Sequence, residues 1–526
     1  MKLPVFDLVV LVGYLLGVVA FGCWFVRTSR STRHFMAAGG TLPGWAVGLS
    51  IFGTYLSSNT FLGVPGKAFG TNWNFFVFSL SLPVAALVAS RFFVPFYRRS
   101  GEISAYHHLE KRFGPWARTY AVVCYLLTQL ARIGSILFGV ALGLQALTGW
   151  DMATIILIAG ALVTLYTLLG GIEAVIWTDV VQSVVLMGGA VVVACMVVFG
   201  MPGGPGQAIE IAAEHGKFSL GGLSANVSQS TFWVVMLYGI FINLNNFGID
   251  QNFIQRYHTA RSDAAARRSL WFGAMLYVPV SLLFFFIGSS LFSYYTAHPG
   301  MLGEVKRHVA AERLAAESVA PDSDGYADRL AATAAELGAE DVGDKVLPHF
   351  IAHKLPPGLA GLLMAAILAA AMSSIDTSLN SSATVILSDI YRRYVRREAG
   401  ETESMRILYA ATLVWGVLGT AAALGMIGVK SVLEAWWKLS GIFAGGMLGL
   451  FLLGLISRRA KSPAAVTGVA IGVLVIVWMT FSPKWSLLPE VLRSPFHAHM
   501  IIVVGTLTIF LAGLLVSRLW PRIHAS

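Results

Sequence analysis

Between Ala369 and Ser388 the chain reads AAAMSSIDTSLNSSATVILS, a run of hydroxyls with one amide and one carboxylate inside an apolar stretch. Ser373, Ser374, Asp376, Thr377, Ser378, Asn380, Ser381 and Ser382 offer oxygen ligands and no sulfur or imidazole. On a helix, positions 370, 373, 374 and 377 share one face. Lipid satisfies none of these groups, so the face must meet protein or a water-filled cavity. Oxygen-only ligands suit a hard monovalent cation. Close helix packing through small Ser and Ala side chains is the competing explanation. Asp376 favours function, because an intramembrane acid is by default a functional candidate.

Three other segments carry polar groups at membrane depth. In WAVGLSIFGTYLSSNTFLGVPGKAF, the residues Tyr55, Ser57, Ser58, Asn59 and Thr60 sit among Gly48, Gly53, Gly63, Pro65 and Gly66. A helix there should break near its middle and free carbonyls and amides for a cation or a solute, although a glycine packing stripe has similar spacing. In TFWVVMLYGIFINLNNFGIDQNFIQRY, residues Asn243, Asn245, Asn246, Gly248, Asp250, Gln251 and Asn252 mark a second interrupted helix, five spans after the first. That is the offset of an inverted repeat. Gln129, Arg132 and Ser135 recur at a spacing of three in a further span. A guanidinium fork there suits a solute carboxylate; an internal ion pair with Asp179, Asp250 or Asp376 is the alternative. Phe75, Ser79 and Ser81 lie near the outer end of the third span, where aromatic residues also serve as interface anchors.

The elements that must position these residues follow from composition. The 526 residues are 56% hydrophobic and 12% charged, with a mean hydropathy of +0.70, which describes an integral membrane protein. About thirteen windows reach the roughly 20 apolar residues that cross a bilayer. They fall near 5–26, 41–69, 73–97, 118–147, 152–170, 174–200, 231–254, 269–294, 356–389, 407–427, 433–456, 464–482 and 498–517. The first is too long for the apolar region of a cleaved signal and reads as retained and peripheral.

The net charge of +10 does not point to nucleic acid, because the basic residues gather in alternate loops without aromatic interleaving. Arg27, Arg30 and Arg33 follow the first span, Arg98 to Arg118 the third, and Arg256, Arg261, Arg267 and Arg268 the seventh. Arg392 to Arg406, Arg458 to Lys461, and Arg518 with Arg522 complete the pattern. By the positive-inside rule the N-terminus is outside and the C-terminus cytoplasmic. Cys23, Cys124 and Cys195 lie in apolar spans with no metal-like spacing. His107 and His108 read as a solvated loop. Residues 297–350, rich in Ala, Glu and Asp, read as an outer helical cap.

The chain resembles the sodium:solute symporter family, which includes bacterial sodium–galactose, sodium–proline and sodium–sialic acid symporters. The resemblance runs over about residues 5–520 and is carried by GTYLSSNTFLGVPGKAF, GGIEAVIWTDVVQ, NLNNFGIDQNFIQR and AAAMSSIDTSLNSSATVILSDIY. In pocket residues it is nearest the sialic acid members. The resemblance implies an all-α, LeuT-like fold with a 5+5 inverted repeat. Residues 1–40 would hold the peripheral first helix, 41–200 and 231–456 the two repeats, and 464–526 the C-terminal helices of one transmembrane domain.

The resemblance also implies one or two sodium ions. The common site would take Gly53, Leu56 and Ala370 carbonyls with the Ser373 and Ser374 hydroxyls. A second would lie among Asp179, Ser373, Asp376 and Thr377. The sialic acid members carry hydroxyls at that second site, so Asp376 departs from them; it either strengthens cation binding or pairs with Arg132. The substrate positions implied are Tyr55, Ser57, Ser58, Thr60, Phe75, Ser79, Arg132, Asn243, Asn246 and Phe247. The expected activity is sodium-coupled import of sialic acid or a related acidic sugar across the plasma (inner) membrane. Its partners are the anionic solute, sodium and lipid, with no nucleic acid. An amino acid, a monocarboxylate or a neutral sugar is the alternative cargo. A membrane sensor is the competing class; such a relative carries a cytoplasmic kinase module, whereas this chain ends at Ser526. No HExxH, P-loop or nucleophile elbow suggests an enzyme.

Overall fold

The computed structural model describes residues 4–427 and 445–523, and every regular element among them is helical. Lys430, Trp436, Trp437 and Lys438, with most of the span expected at 433–456, lie outside the described residues. Ten described helices are long and apolar enough to cross a membrane. That count is not the thirteen windows of the sequence, because two expected spans run on as one helix and others are broken or incompletely described.

The first helix, α1 (Val5–Trp24), packs along few neighbours and turns Val9, Leu16 and Phe21 outward. Its one acid is not idle. The Asp7 carboxylate accepts backbone N–H bonds from Gly358 at 2.6 Å and Gly361 at 2.7 Å, capping a helix that starts 351 residues later in the chain. Unpaired N–H groups and the positive dipole end make an acid the fitting partner there.

Two broken helices follow the sequence expectation. Helix α2 (Gly44–Tyr55) stops at Leu56 (φ −93, ψ 116), and α3 (Ser58–Gly70) starts after Ser57 (φ −122, ψ 172). The third span is Trp73–Ser100, here α4. After α5 (Pro115–Thr148) comes α6 (Met152–Phe199), 48 residues long with a kink at Gly171 (φ 57, ψ −156). A Cβ on Gly171 would sit 2.9 Å from the Phe35 backbone, so only glycine allows both the left-handed turn and the close approach. The kink separates the windows read as 152–170 and 174–200.

The second break is tighter. Helix α7 (Phe232–Ile249) and α8 (Gln251–Thr259) are separated only by Asp250 (φ −82, ψ 119). Its carboxylate accepts the Asn252 N–H at 2.8 Å, capping α8. Helix α9 (Asp263–Ala297) flanks both α2 and α3. The insertion forms α10 (Pro299–Ala316), α11 (Tyr326–Glu336) and α12 (Ala339–Lys354), and α12 packs along α3. Then come α13 (Leu359–Val385), α14 (Glu401–Gly425), α15 (Ser462–Phe481) and α16 (Met500–Ile523).

Helix α13 is the axis of the bundle. Every residue from Leu363 to Val385 is buried, against α6, α5, α14 and α1, although a third of that stretch is Ser, Thr, Asn or Asp. Its polar face therefore meets protein, as lipid exclusion requires.

Two loop expectations change. His107 and His108 begin a short helix (His107–Phe113), and the His108 ring stands edge-on to Phe96 with centroids 4.8 Å apart. Arg118, read as a loop cation, is buried and paired with Asp389 at 2.6 Å and Glu110 at 2.7 Å.

Candidate functional site

At the first break, Leu56 N–H closes onto the Gly53 carbonyl at 3.0 Å, and the Ser57 and Thr60 side chains cap α3 reciprocally at 3.4 Å. The break brings the α2 backbone against α13 and α6. A Cβ on Gly53 would lie 3.1 Å from Ser373 Oγ and 3.2 Å from Ser183 Oγ, so the absent side chain permits the approach. Gly53, Leu56, Ala370 and Ser373 line a cavity of about 10 Å³ together with Gln182 and Ser183, near the lower bound for one water-sized occupant. Ser374 Oγ donates to the Leu56 carbonyl at 3.3 Å, and Ser373 Oγ donates to Asp179 Oδ1. Ser183 Oγ is buried with no hydrogen-bond partner among the described residues. Gln182 Oε1 is likewise buried with no hydrogen bond among the described residues, and carbonyls, hydroxyls and these two orphan oxygens around so small a space fit a sodium ion. Ser183 was missed in the sequence, although it sits one turn beyond Asp179 on α6.

Asp179, Ser373 and Thr377 also meet, around a cation supplied by the chain. Arg256 on α8 is fully buried, not a loop residue as the charge pattern suggested. Its Nη2 lies 3.0 Å from Asp179 Oδ2 and 2.7 Å from Thr377 Oγ1. Its Nε donates to Ser50 Oγ and its Nη1 to the Asn252 carbonyl, both at 2.7 Å. Ser50 Oγ in turn donates to Asp179 Oδ2 at 2.5 Å. Asp376 does not pair with Arg132. It accepts from Tyr166 Oη at 2.6 Å and from the Thr377 N–H at 2.5 Å.

Arg132 is half-buried on α5, and its Nη2 donates to the Thr54 carbonyl at 2.8 Å, beside the first break. It makes no direct ion pair with Asp179, Asp250 or Asp376, although Asp250 acts on it electrostatically at longer range. Its expected helpers are engaged elsewhere. Gln129 Oε1 accepts from Asn252 Nδ2 at 3.1 Å, and Ser135 Oγ donates to the Arg132 carbonyl at 3.0 Å.

The remaining positions fall into two groups. Tyr55 Oη donates to Asn243 Oδ1 at 3.0 Å and joins the two broken helices; its ring packs against Phe247, Phe253 and Tyr277. Asn246 lies half-buried within hydrogen-bond reach of Tyr55. Ser57 and Thr60 stand half-buried at the α3 start, and the Ser58 side chain lies outside the described residues. Phe75 stacks on Phe78 with centroids 5.7 Å apart and near the His499 ring. Ser79 is buried and bonded to Ser281 Oγ at 2.7 Å, which ties α4 to α9.

Two interrupted helices at corresponding places in two halves, joined through Tyr55 and Asn243 and packed on one polar helix, define a secondary transporter of the LeuT-like inverted-repeat fold. The chain belongs to the sodium:solute symporter family, whose profile matches residues 35–472. It is 31% identical over 515 residues to the sodium/sialic acid symporter SiaT of Proteus mirabilis (strain HI4320), covering 97% of this chain and 94% of the relative. A solved Na+-coupled sialic acid symporter in a substrate-bound outward-open state superposes with a TM-score of 0.84 at 30% identity, over 98% of each chain. Mhp1, a nucleobase-cation-symport-1 family transporter, shares the fold with a TM-score of 0.53 at 14% identity, over 93% of this chain and 94% of that one. The chain is thus a sodium symporter of the plasma membrane, not an enzyme.

Proposed function

We propose that the protein imports sialic acid or a related acidic sugar, driven by the inward sodium gradient through alternating access. The observation that carries this is Arg132, a half-buried guanidinium with no carboxylate within ion-pair distance among the described residues, held beside the first helix break and influenced by Asp250 only at longer range. A solute carboxylate supplies the missing charge in a bidentate geometry. The names of the similar proteins support the same cargo.

Sodium at Gly53, Leu56, Ala370, Ser373 and Ser374 bridges the broken helix to α13. Its binding free energy favours the state in which the solute pocket is formed, and the coupling is reciprocal, so the solute raises sodium affinity by the same factor. The membrane potential adds about 2.3 kcal/mol per charge per 100 mV. A second sodium among Asp179, Ser373, Asp376 and Thr377 requires Arg256 to move off Asp179 and Thr377. The basic-loop pattern supports an outside N-terminus and a cytoplasmic C-terminus, with 297–350 outside. Residues 41–200 and 231–456 form the two repeats.

The test is uptake of labelled sialic acid into proteoliposomes with and without an inward sodium gradient, beside its carboxylate-reduced analogue. Sodium-dependent uptake of the acid, with the analogue excluded, is expected. Equal handling of both compounds would remove the carboxylate clamp.

A further inference from the structure

The insertion holds a cluster that the transport reading does not use. Glu304 on α10 and the pair His349 and His353, one turn apart on α12, present ligand atoms that all lie within 4.8 Å of one another. The two imidazole rings stack with centroids 4.1 Å apart.

Hydrogen bonds decide which ring nitrogens are free. Tyr295 Oη donates to the Val346 carbonyl at 3.0 Å, so its oxygen accepts from His349 Nδ1, 2.8 Å away. His353 Nδ1 lies 2.9 Å from the His349 carbonyl, which only accepts, so that nitrogen carries the proton. In its neutral form each ring therefore leaves Nε2 as the free acceptor. His349 Nε2 faces Glu304 Oε2 at 3.5 Å.

We propose that Glu304, His349 and His353 form a binding site for a transition-metal ion of the zinc class. Two imidazoles and a carboxylate are borderline ligands of the kind zinc takes, with a fourth position left to water. The Nδ1 bonds to Tyr295 and the His349 carbonyl are the outer partners that fix ring orientation in metal sites. Ligand atoms around one zinc ion stand roughly 3 to 3.5 Å apart. The Glu304 and His353 side chains are exposed, so closing that spacing displaces no packed core. The bound ion ties α10 to α12.

The proposal is tested by titrating Zn2+ into the purified full-length protein, without a polyhistidine tag and in chelator-free buffer, followed by calorimetry and by hydrogen exchange of α10 and α12. One ion per chain and slowed exchange in both helices are expected. His353→Ala, an exposed position whose loss leaves the fold intact, should weaken binding about tenfold or more, and Tyr295→Phe about 10- to 100-fold. His34→Ala, a histidine outside the insertion, should leave it unchanged. Mg2+ should not compete. Zinc uptake unaltered in the His349→Ala/His353→Ala double variant, or no uptake by the wild type, overturns the site; neither readout depends on which solute is transported.

Discussion

Arg256 Nη2 lies 3.0 Å from Asp179 Oδ2, with both side chains fully buried. The guanidinium joins α8 to α6 and, through Thr377, to α13, so one cation holds three elements that a transport cycle must rearrange. Breaking such a pair strands a buried charge, at a cost of about 3–5 kcal/mol. Asp179→Asn is therefore expected to lower the unfolding temperature, and Asp179→Asn combined with Arg256→Gln to recover part of the loss. Two single losses that simply add in thermal unfolding would show that the residues do not act as a pair.

Ser373 and Ser374 supply the two α13 hydroxyls of the common sodium site. Ser373→Ala with Ser374→Ala should abolish sodium-driven uptake while the protein still folds, because both changes keep small side chains on a packed face. Retention of normal sodium dependence in proteoliposomes would rule the assignment out.

Arg132→Lys keeps the charge and loses the fork. Affinity for the acidic solute should fall by roughly 10- to 100-fold, the effect of about 1.5–3 kcal/mol for a lost bond to a charged group. Sodium binding to solute-free protein should barely change. A variant with shifted sodium affinity and unchanged solute affinity would assign Arg132 to the cation site instead.

Glu312 gives the insertion an acid limit. Burial pushes its carboxyl up, but the His308 hydrogen bond and the Lys345 ammonium, 2.9 Å away, outweigh it and hold the group down at about 2. Its folded value lies below the unfolded value of about 4.3. The stabilisation is thus present above that pH and is lost as pH falls toward 2. Protection factors of α10, corrected for intrinsic exchange, should fall from pH 5 to pH 3, and Glu312→Gln should flatten that dependence.

Several of these features were legible in the chain. The break at Leu56 and Ser57 showed itself as a polar run between glycines, and the break at Asp250 as amides clustered at a span's end. Asp179, Ser373 and Thr377 stood out because acids and hydroxyls are costly at membrane depth. Arg256 did not, because it follows an apolar span and resembles the loop residues Arg261, Arg267 and Arg268. The available signal was its short half-helix, whose Gln251, Asn252 and Gln255 are all buried polar groups, a composition unlike a loop. Asp7, Arg118 and the Glu304 cluster depend on contacts between distant segments, which spacing along one helix cannot report.

The backbones of Gly66 on α3 and Gly343 on α12 touch with no side chain between them. A Cβ on Gly66 would fall 2.9 Å from the Gly343 carbonyl oxygen. The second half of the broken helix is only 13 residues long and packs along α12 of the insertion. A tilt of that half-helix would pass through this contact to the insertion, as to a lever arm. A crosslink that arrests the insertion is therefore expected to slow the helix break, and a fluorophore there to report its angle.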